Sequence, residues 1–475
     1  MGPTPPPPTP TPVGLVGCNA GATSIVAGAL ADVSVRHPNS MRSREPYAPG
    51  FISVKFSGTG TEPEVVRAMA RIGAKQSSPR NEFGYLSYSI PAASNPLIVA
   101  ASLSGTRGII DARPIAVRYL QTVPNDPDLG PAPPYSGPVT SPLVQWDMYF
   151  TQMPSAWGVT MGSSSVKIAI IDTGYDANNL DICSKVVSSA VFDHTNGDGI
   201  QNTTATAQDD DGHGSNVSGI AAAVTNNGLR FAGVGWNIDL MEVRVFPTPS
   251  SGNPNPPGAF DPNIGAGINW AVAHGANVIS MSLGAAGPCS SGPSEQAAIA
   301  AAIGAGVTVV AAAGNGNGSA VVAPGNCPGV IAVGATGLDD SVNPAVEKIA
   351  SYSNFDANRT WGLVAPGGDP SGAQQTCTAG VNCDYLQWIL NNYSTTACCA
   401  SSTPPNSPGH GVLIAGTSQA TPHVAGVAAL MITKDPGIAP ASIRGILEAN
   451  VDDICSCNGE GFGRLNAIKA LNATP

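Results

Sequence analysis

The first regular pattern of apolar and polar positions lies between residues 51 and 120. Strands are predicted for FISVKFSG, in which the two kinds of residue alternate, and for GYLSYSIP and ARPIAVRYL. Helices are predicted for TEPEVVRAMARIGAK, with its early acids and later bases, and for NPLIVAASLSG. This order predicts a small α+β unit of ferredoxin-like type over residues 51–122. Before it, the proline-rich residues 1–50 predict a largely disordered tether or leader.

From about Val166 the pattern changes to short apolar runs that alternate with helical stretches rich in alanine and glycine. Examples of the runs are VKIAII, NVISMSL and VTVVAAA, and examples of the helical stretches are NVSGIAAAV and EQAAIAAAIGAG. Strands that are apolar throughout and alternate with helices indicate a parallel sheet covered on both faces. We therefore predict an α/β, three-layer domain over residues 123–475, with its functional residues at the carboxyl ends of the strands.

Four polar residues stand just after predicted strands or at the start of predicted helices. Asp172 follows VKIAII, His213 lies between two glycines at a helix start, and Asn315 follows VTVVAAA. Ser418 follows GVLIA and opens a helix, where free N–H groups and the helix dipole favour negative charge. Taken singly, each is explained by a cap, a turn or a structural contact.

Taken together at one edge of one sheet, the four residues supply an acid, a base, an amide donor and a nucleophile. His213 can accept the proton of Ser418, and Asp172 can fix the tautomer of the imidazole. The amide of Asn315 and the backbone N–H of Ser418 can hold a developing oxyanion.

Composition narrows the class of protein further. The chain has 475 residues, a formal net charge of −11 and only 11% charged residues, which disfavours nucleic acid as a partner. It lacks an apolar run of about 18 residues, so no transmembrane helix is predicted. Its 10 cysteines lie in segments rich in Gly, Pro and Ser, which indicates disulfides and an oxidising compartment. Buried reduced thiols are the alternative.

The segments that carry these residues resemble the subtilisin-like serine proteases, or subtilases. The resemblance rests on AIIDTGYD, DGHGSNVSG, VAAAGNGNG and GTSQATPHVAGVAAL, in that order along the chain. It implies a serine endopeptidase that hydrolyses proteins through an acyl-enzyme. Two alternatives stay open, a processing protease of narrow specificity and a catalytically dead binding protein. The catalytic residues implied are Asp172, His213, Ser418 and, in the oxyanion hole, Asn315.

The resemblance also implies a substrate site. Ser280–Gly284 would form an edge strand that pairs with the substrate backbone. Ala312–Gly314 would line the primary specificity pocket together with Leu283 and Gly284. Because these segments contain no acid, we expect cleavage after apolar or medium-sized residues. The substrate-binding residues implied are Ser280, Met281, Ser282, Leu283, Gly284, Ala312, Ala313 and Gly314.

The unit over residues 51–122 resembles the inhibitory propeptide of the same family. Such a unit assists folding, blocks the cleft and is removed by the enzyme, with a cut expected between about Leu120 and Val123. The partners implied are protein or peptide substrates and the chain's own propeptide, and we expect a secreted monomer. Leu15–Cys18 has the form of a bacterial lipid-attachment box, but the preceding hydrophobic stretch is absent.

A structural calcium ion is a further implication, because relatives bind one at matching positions and oxygen-only coordination suits Ca²⁺. Arg230 departs from the frequent glycine of that loop. The side-chain ligands implied are Asp126, Asp181 and Asn227, and the backbone carbonyl ligands are those of Thr225, Leu229 and Phe231.

Two further departures lie inside the motifs. Asn216 stands where a second histidine is usual, and Gln419 stands where many relatives have methionine. Because Gln419 has no sulfur to oxidise, we hypothesise that activity survives peroxide. Cys289 and Cys327 are predicted to pair. Local pairing of Cys377 with Cys383 and of Cys455 with Cys457 stays open.

Overall fold

The computed structural model describes residues 47–91, 94–116, 123–135, 144–248, 258–370, 385–394 and 411–475. The chain divides into two units between Leu120 and Gln121. Residues 1–46 of the predicted tether and residues 117–122 lie outside the described ranges, whereas residues 47–50, which the prediction placed in the tether, belong to the first strand.

The smaller unit has the element order βαββαβ. Its elements are β1 (Tyr47–Phe56), α1 (Pro63–Arg71), β2 (Lys75–Gln76), β3 (Tyr85–Ser89), α2 (Pro96–Ser102) and β4 (Ile109–Ala116). The strands form one antiparallel sheet in the order β2-β3-β1-β4, which is the ferredoxin-like arrangement predicted from the sequence. Ile52 and Val54 alternate along β1 into a core completed by Val65 and Leu103.

The larger unit alternates strands and helices as the apolar runs predict. Its strands are β5 (Lys167–Asp172), β6 (Val186–Val191), β7 (Asp239–Arg244), β8 (Val278–Met281), β9 (Thr308–Ala312), β10 (Ile331–Asp339), β11 (Val346–Ile349), β12 (Leu363–Pro366), β13 (Ile389–Asn392) and β14 (Gly411–Ile414). Its helices are α3 (Trp146–Phe150), α4 (Met153–Trp157), α5 (His213–Ala222), α6 (Asp261–Ala273), α7 (Pro293–Gly304), α8 (Thr417–Lys434), α9 (Pro440–Ala449) and α10 (Ala467–Ala473).

The main sheet of this unit is covered on both faces. Its strands follow the order β11-β10-β9-β8-β5-β7-β6, with β12 beside β10, and all pairs are parallel except β10 with β11. Alternate residues of β5 belong to two hydrophobic cores. Ile168 and Ile170 pack with α8 in one core, and Ala169 and Ile171 pack with α6 and α7 in the other. The α/β, three-layer prediction is thereby confirmed. No helix in the described ranges is both long and apolar enough to cross a bilayer.

The strand before Ser418 departs from the prediction that the four polar residues lie at one edge of one sheet. β14 pairs antiparallel with β13 in a separate two-stranded sheet. An apolar run such as GVLIA predicts a strand but not its partner, and here the partner comes from the long segment preceding it.

Two of the cysteine pairs considered in the sequence analysis are disulfide-bonded in the structure. Cys289 is bonded to Cys327, which confirms the predicted pair, and Cys455 is bonded to Cys457. Cys183 is disulfide-bonded as well. The pair considered between Cys377 and Cys383 lies outside the described residues.

Candidate active site

Asp172 and His213 form an acid–imidazole pair in which the acid is buried and the imidazole is partly exposed. Asp172 ends β5, is only 1% exposed, and accepts a hydrogen bond from the backbone N–H of Thr173. His213 is the first residue of α5, and its Nδ1 lies 2.7 Å from Asp172 Oδ1. A contact this short to a carboxylate fixes both the orientation of the ring and the proton on Nδ1, which leaves Nε2 to act as the base.

The charges around His213 make it a stronger base than an ordinary histidine. Burial acts to lower its pKa, but the attraction and hydrogen bond of Asp172 outweigh that effect, and Asp211 and Asp209 add to them. The balance raises the pKa of His213 to about 9. The neutral imidazole that can accept a proton therefore prevails only at alkaline pH.

Asp209 holds the turn that presents His213. Its fully buried carboxylate accepts hydrogen bonds from Thr173 Oγ1 at 2.9 Å, from Ser215 Oγ at 2.6 Å and from the N–H of Gly212 at 2.8 Å. Gly212 has a φ of +106°, and a side chain there would collide with the ring of Tyr393. The glycine before His213 is thus required by both its backbone conformation and its surroundings.

Ser418 lies in the first turn of α8 beside the segment that follows β8. Its Oγ donates to the carbonyl of Ser282 at 3.1 Å, and Ser282 Oγ donates back to the carbonyl of Ser418 at 2.8 Å. Pro422 makes the second bond possible, because proline has no N–H to offer the carbonyl four residues before it. Within the described ranges Ser418 and His213 are not hydrogen-bonded to each other. Catalytic hydrogen bonds are often loose before substrate binds.

Asn315 is held with its amide in one orientation. Its Oδ1 accepts from the N–H of Thr417 at 2.9 Å and from Thr417 Oγ1 at 2.8 Å, while Thr417 Oγ1 accepts from the N–H of Gly314. These bonds leave the amide NH2 group of Asn315 available to donate to a substrate atom close to Ser418. An amide fixed before the reaction can stabilise a developing negative charge without reorganising.

A cavity of about 750 Å³ adjoins these groups. Ser418, Asn315 and Thr417 line one part, and five of the expected substrate-binding residues line another. No charged residue contributes to its described lining. The five residues are Ser282, Leu283, Gly284, Ala312 and Gly314.

The other three expected substrate-binding residues do not line this cavity. Ala313 is fully buried. Ser280 and Met281 lie in β8, which is flanked by β5 and β9 in the middle of the sheet. The expectation of an edge strand over Ser280–Gly284 is not met at Ser280, which is paired with both β5 and β9, whereas Met281 is paired with β9 alone. Ser282 is the first residue of this segment that lines the cavity.

Comparison with known proteins identifies this arrangement. Residues 163–464 match the model of the subtilase family. The chain belongs to the subtilase family. Thermitase from Thermoactinomyces vulgaris is 33% identical over 67% of this chain and 93% of its own length. The thermophilic serine proteinase of Bacillus sp. strain AK1 is 30% identical over 92% of this chain and 91% of its own.

Solved structures agree. Proteases from Pseudoalteromonas arctica are similar with a TM-score of 0.57 and 31% identity, over 70% of this chain and 97% of that one. The resemblance noted in the sequence is thereby confirmed, and this subtilase is a serine protease, a hydrolase.

The residues expected to bind calcium in this subtilase lie around one loop. Asp181 accepts from Asn227 Nδ2 at 2.8 Å and from the N–H of Phe231 at 3.2 Å. Asp126 accepts from the N–H of Asn226, but its Oδ1 is buried without a partner. Burial raises the pKa of Asp126 to about 6, and burial together with Asp126 raises that of Asp181 to about 7.

Two buried carboxyl groups, one of which has an oxygen without a partner, fit a cation that prefers oxygen ligands. Leu229 and Thr225 belong to the same loop, and Arg230 points its charge elsewhere, at Asp128 Oδ2, 2.6 Å away. No group of three or more His, Cys, Asp or Glu side chains suited to a metal is found among the described residues. The fit therefore depends on amide and carbonyl oxygens as well.

The two motif departures of this subtilase are partners of each other, which sequence reasoning missed. Gln419 Nε2 donates to Asn216 Oδ1 at 3.0 Å, and both side chains are buried. Asn216 Nδ2 donates in turn to the carbonyl of Asn392 in β13 at 3.1 Å. The signal lay in the sequence as two unusual residues in two motifs, but nothing in either motif pointed to the other.

Proposed function

We propose that this subtilase is a secreted serine endopeptidase that cleaves proteins through an acyl-enzyme on Ser418 and is made as a zymogen that processes itself. The observation that carries the proposal is the Asp172–His213 pair, with its 2.7 Å contact, together with the fixed amide of Asn315 beside Ser418. A binding protein with a dead site would have no use for both.

The reaction begins with attack of Ser418 Oγ on the carbonyl carbon of the scissile bond. His213 Nε2 takes the hydroxyl proton, and Asp172 stabilises the imidazolium that forms. The oxyanion accepts hydrogen bonds from Asn315 Nδ2 and from the N–H of Ser418. The C–N bond then breaks, and the amine leaves with the proton from His213. Water, deprotonated by His213, attacks the acyl-enzyme and releases the acid and Ser418 Oγ–H.

The chemistry of the primary pocket supports cleavage after apolar or medium-sized residues. Its described walls are uncharged, and Leu283, Ala312 and Gly314 contribute to them. The alternative, a processing protease for one partner, differs in how many bonds it cuts. Casein digested at scattered sites would support the broad endopeptidase, and cleavage confined to one or two sites would support the alternative.

The smaller unit supports the zymogen part of the proposal. It is a separate unit with its own core, and a relative matches over 92% of this chain, which extends beyond the catalytic unit. The test compares intact masses of the wild type and Ser418→Ala. Loss of about the first 120 residues only in the wild type supports self-processing. Two full-length folded proteins would contradict it.

Calcium has a structural part in this proposal. Asp126, Asp181 and Asn227, with the carbonyls of Thr225, Leu229 and Phe231, would hold the ion. It would supply positive charge to two buried carboxyl groups and tie the segment around Asp126 to the loop over residues 225–231.

A further inference from the structure

A second cavity lies against the segment that is expected to carry the substrate. It has a volume of about 270 Å³ and shares Leu283 and Gly284 with the primary pocket. Phe246, Ala259 and Ile264 give it apolar walls. A substrate chain paired with Ser282–Gly284, as the resemblance implies, would therefore run beside both cavities.

A carboxyl group with one unpartnered oxygen lines this cavity. Glu295, in the first turn of α7, is 7% exposed and lines the cavity, and its Oε1 is buried without a hydrogen bond. Burial, with the nearby Asp261, raises the pKa of Glu295 to about 7. A buried carboxyl oxygen with no donor is costly, so its presence requires an explanation, and a ligand that donates to the group is one.

Asp261 also lines the cavity, but its oxygens are already used. They accept from the N–H groups of Ser294 at 3.1 Å and of Glu295 at 2.9 Å, and so cap α7. Gly292 separates the two carboxyl groups: a Cβ there would lie 2.7 Å from Asp261 Oδ1 and 3.0 Å from Glu295 Oε2. No lysine or arginine lines the cavity in the described ranges. The described lining of the cavity therefore has no positive charge to offset the two carboxyl groups.

We propose that Glu295 is a specificity-determining residue, which makes this cavity select a lysine or arginine side chain upstream of the scissile bond. The apolar walls cover the aliphatic stem of such a side chain, and Glu295 pairs with its charged end. At about 3.3 Å per residue, a chain that runs along Ser282–Gly284 places the selected residue about two to four positions before the bond. The inference rests on the proposed endopeptidase function and adds a charge preference to it.

The test uses quenched fluorescent peptides that share phenylalanine before the cleaved bond. Each peptide carries Lys, Arg, Gln, Met or Glu at one of the three positions two to four residues upstream. At one of these positions the wild type is expected to show a kcat/KM at least about tenfold higher for Lys or Arg than for Met, as for a charge-assisted contact. The Glu peptide is expected to be the poorest.

The variant Glu295→Gln keeps the size of the side chain but removes its charge. We expect the ratio of kcat/KM for the Lys and Met peptides to fall to about one to two. Glu448→Gln, which removes a charge outside both cavities, is the matched control and should keep the wild-type ratio. A purely structural role of Glu295 would slow all peptides alike and leave the ratio unchanged.

Each remaining outcome is decisive. Equal rates for the Lys and Met peptides at all three positions in the wild type would overturn the subsite while leaving the endopeptidase proposal intact. Failure of the wild type to cleave any peptide or casein would remove the endopeptidase proposal itself. If Glu295→Gln does not fold, the order of the Lys, Arg, Met and Glu peptides with the wild type decides the proposal.

Discussion

The hydrogen bond between Gln419 and Asn216 joins the helix that begins at His213 to the helix that carries Ser418. It spans 3.0 Å between two buried side chains. Replacing Gln419 by methionine, the residue many relatives carry, would leave Asn216 Oδ1 without its donor. Replacing Asn216 by leucine would leave the amine of Gln419 without its acceptor.

The size of the effect follows from burial. A buried hydrogen bond contributes about 1 kcal/mol net to the free energy of unfolding, but a partner left unsatisfied costs about 1–3 kcal/mol. Each single variant should therefore lower the free energy of unfolding by about 1–3 kcal/mol. The double variant removes both polar groups, so it should lose less than the sum, with a coupling of about 0.5–3 kcal/mol.

The assay is denaturant unfolding of all four proteins in a Ser418→Ala background, which prevents self-digestion. Asn216→Leu also removes the donor to the carbonyl of Asn392, but that loss is common to the single and double variants and cancels in the cycle. The contrary result is that the two single losses sum to the loss of the double variant within about 0.3–0.5 kcal/mol. That result would refute the claim that Asn216 and Gln419 form one unit.

Four other predictions concern activity and stability. Asn315→Ala should lower kcat about 10²–10³-fold with little change in KM, because one oxyanion donor is lost; a change confined to KM would contradict this. kcat/KM should rise with pH through about 9 as His213 loses its proton, and Asp211→Asn, which removes a carboxylate that raises this pKa, should move the rise to lower pH; an unmoved profile would contradict it. Chelation should lower the unfolding temperature of the wild type but hardly that of Asp181→Asn; equal shifts would place calcium elsewhere. In peroxide, the wild type should keep its activity while Gln419→Met loses it; equal loss would assign the sensitive group to another residue.

The sequence predicted those parts of the site that depend on local pattern. Asp172 and His213 lie where strand and helix periodicity placed them, at the end of β5 and the start of α5. Local pattern does not predict contacts between residues that are far apart in the sequence. Asn216 and Gln419 are 203 positions apart, and Glu295 meets the second cavity only because α7 packs beside α6.

The same limit explains the wrong expectation at β8. Apolar residues in NVISMSL predict a buried strand, but they do not tell at which residue its pairing ends. That point is set by the neighbouring strands: the pairing with β5 ends at Ser280, and the pairing with β9 ends at Met281. A strand's neighbours, rather than its own residues, decide how much of its backbone a ligand can use.

Pro422 limits how this cleft can be redesigned. Any other residue at that position would bring an N–H that competes with Ser282 Oγ for the carbonyl of Ser418. The helix would become more regular and by itself more favourable, yet Ser282 would lose one of its two anchors on α8. Substitutions chosen to regularise helices would therefore trade substrate alignment for stability here.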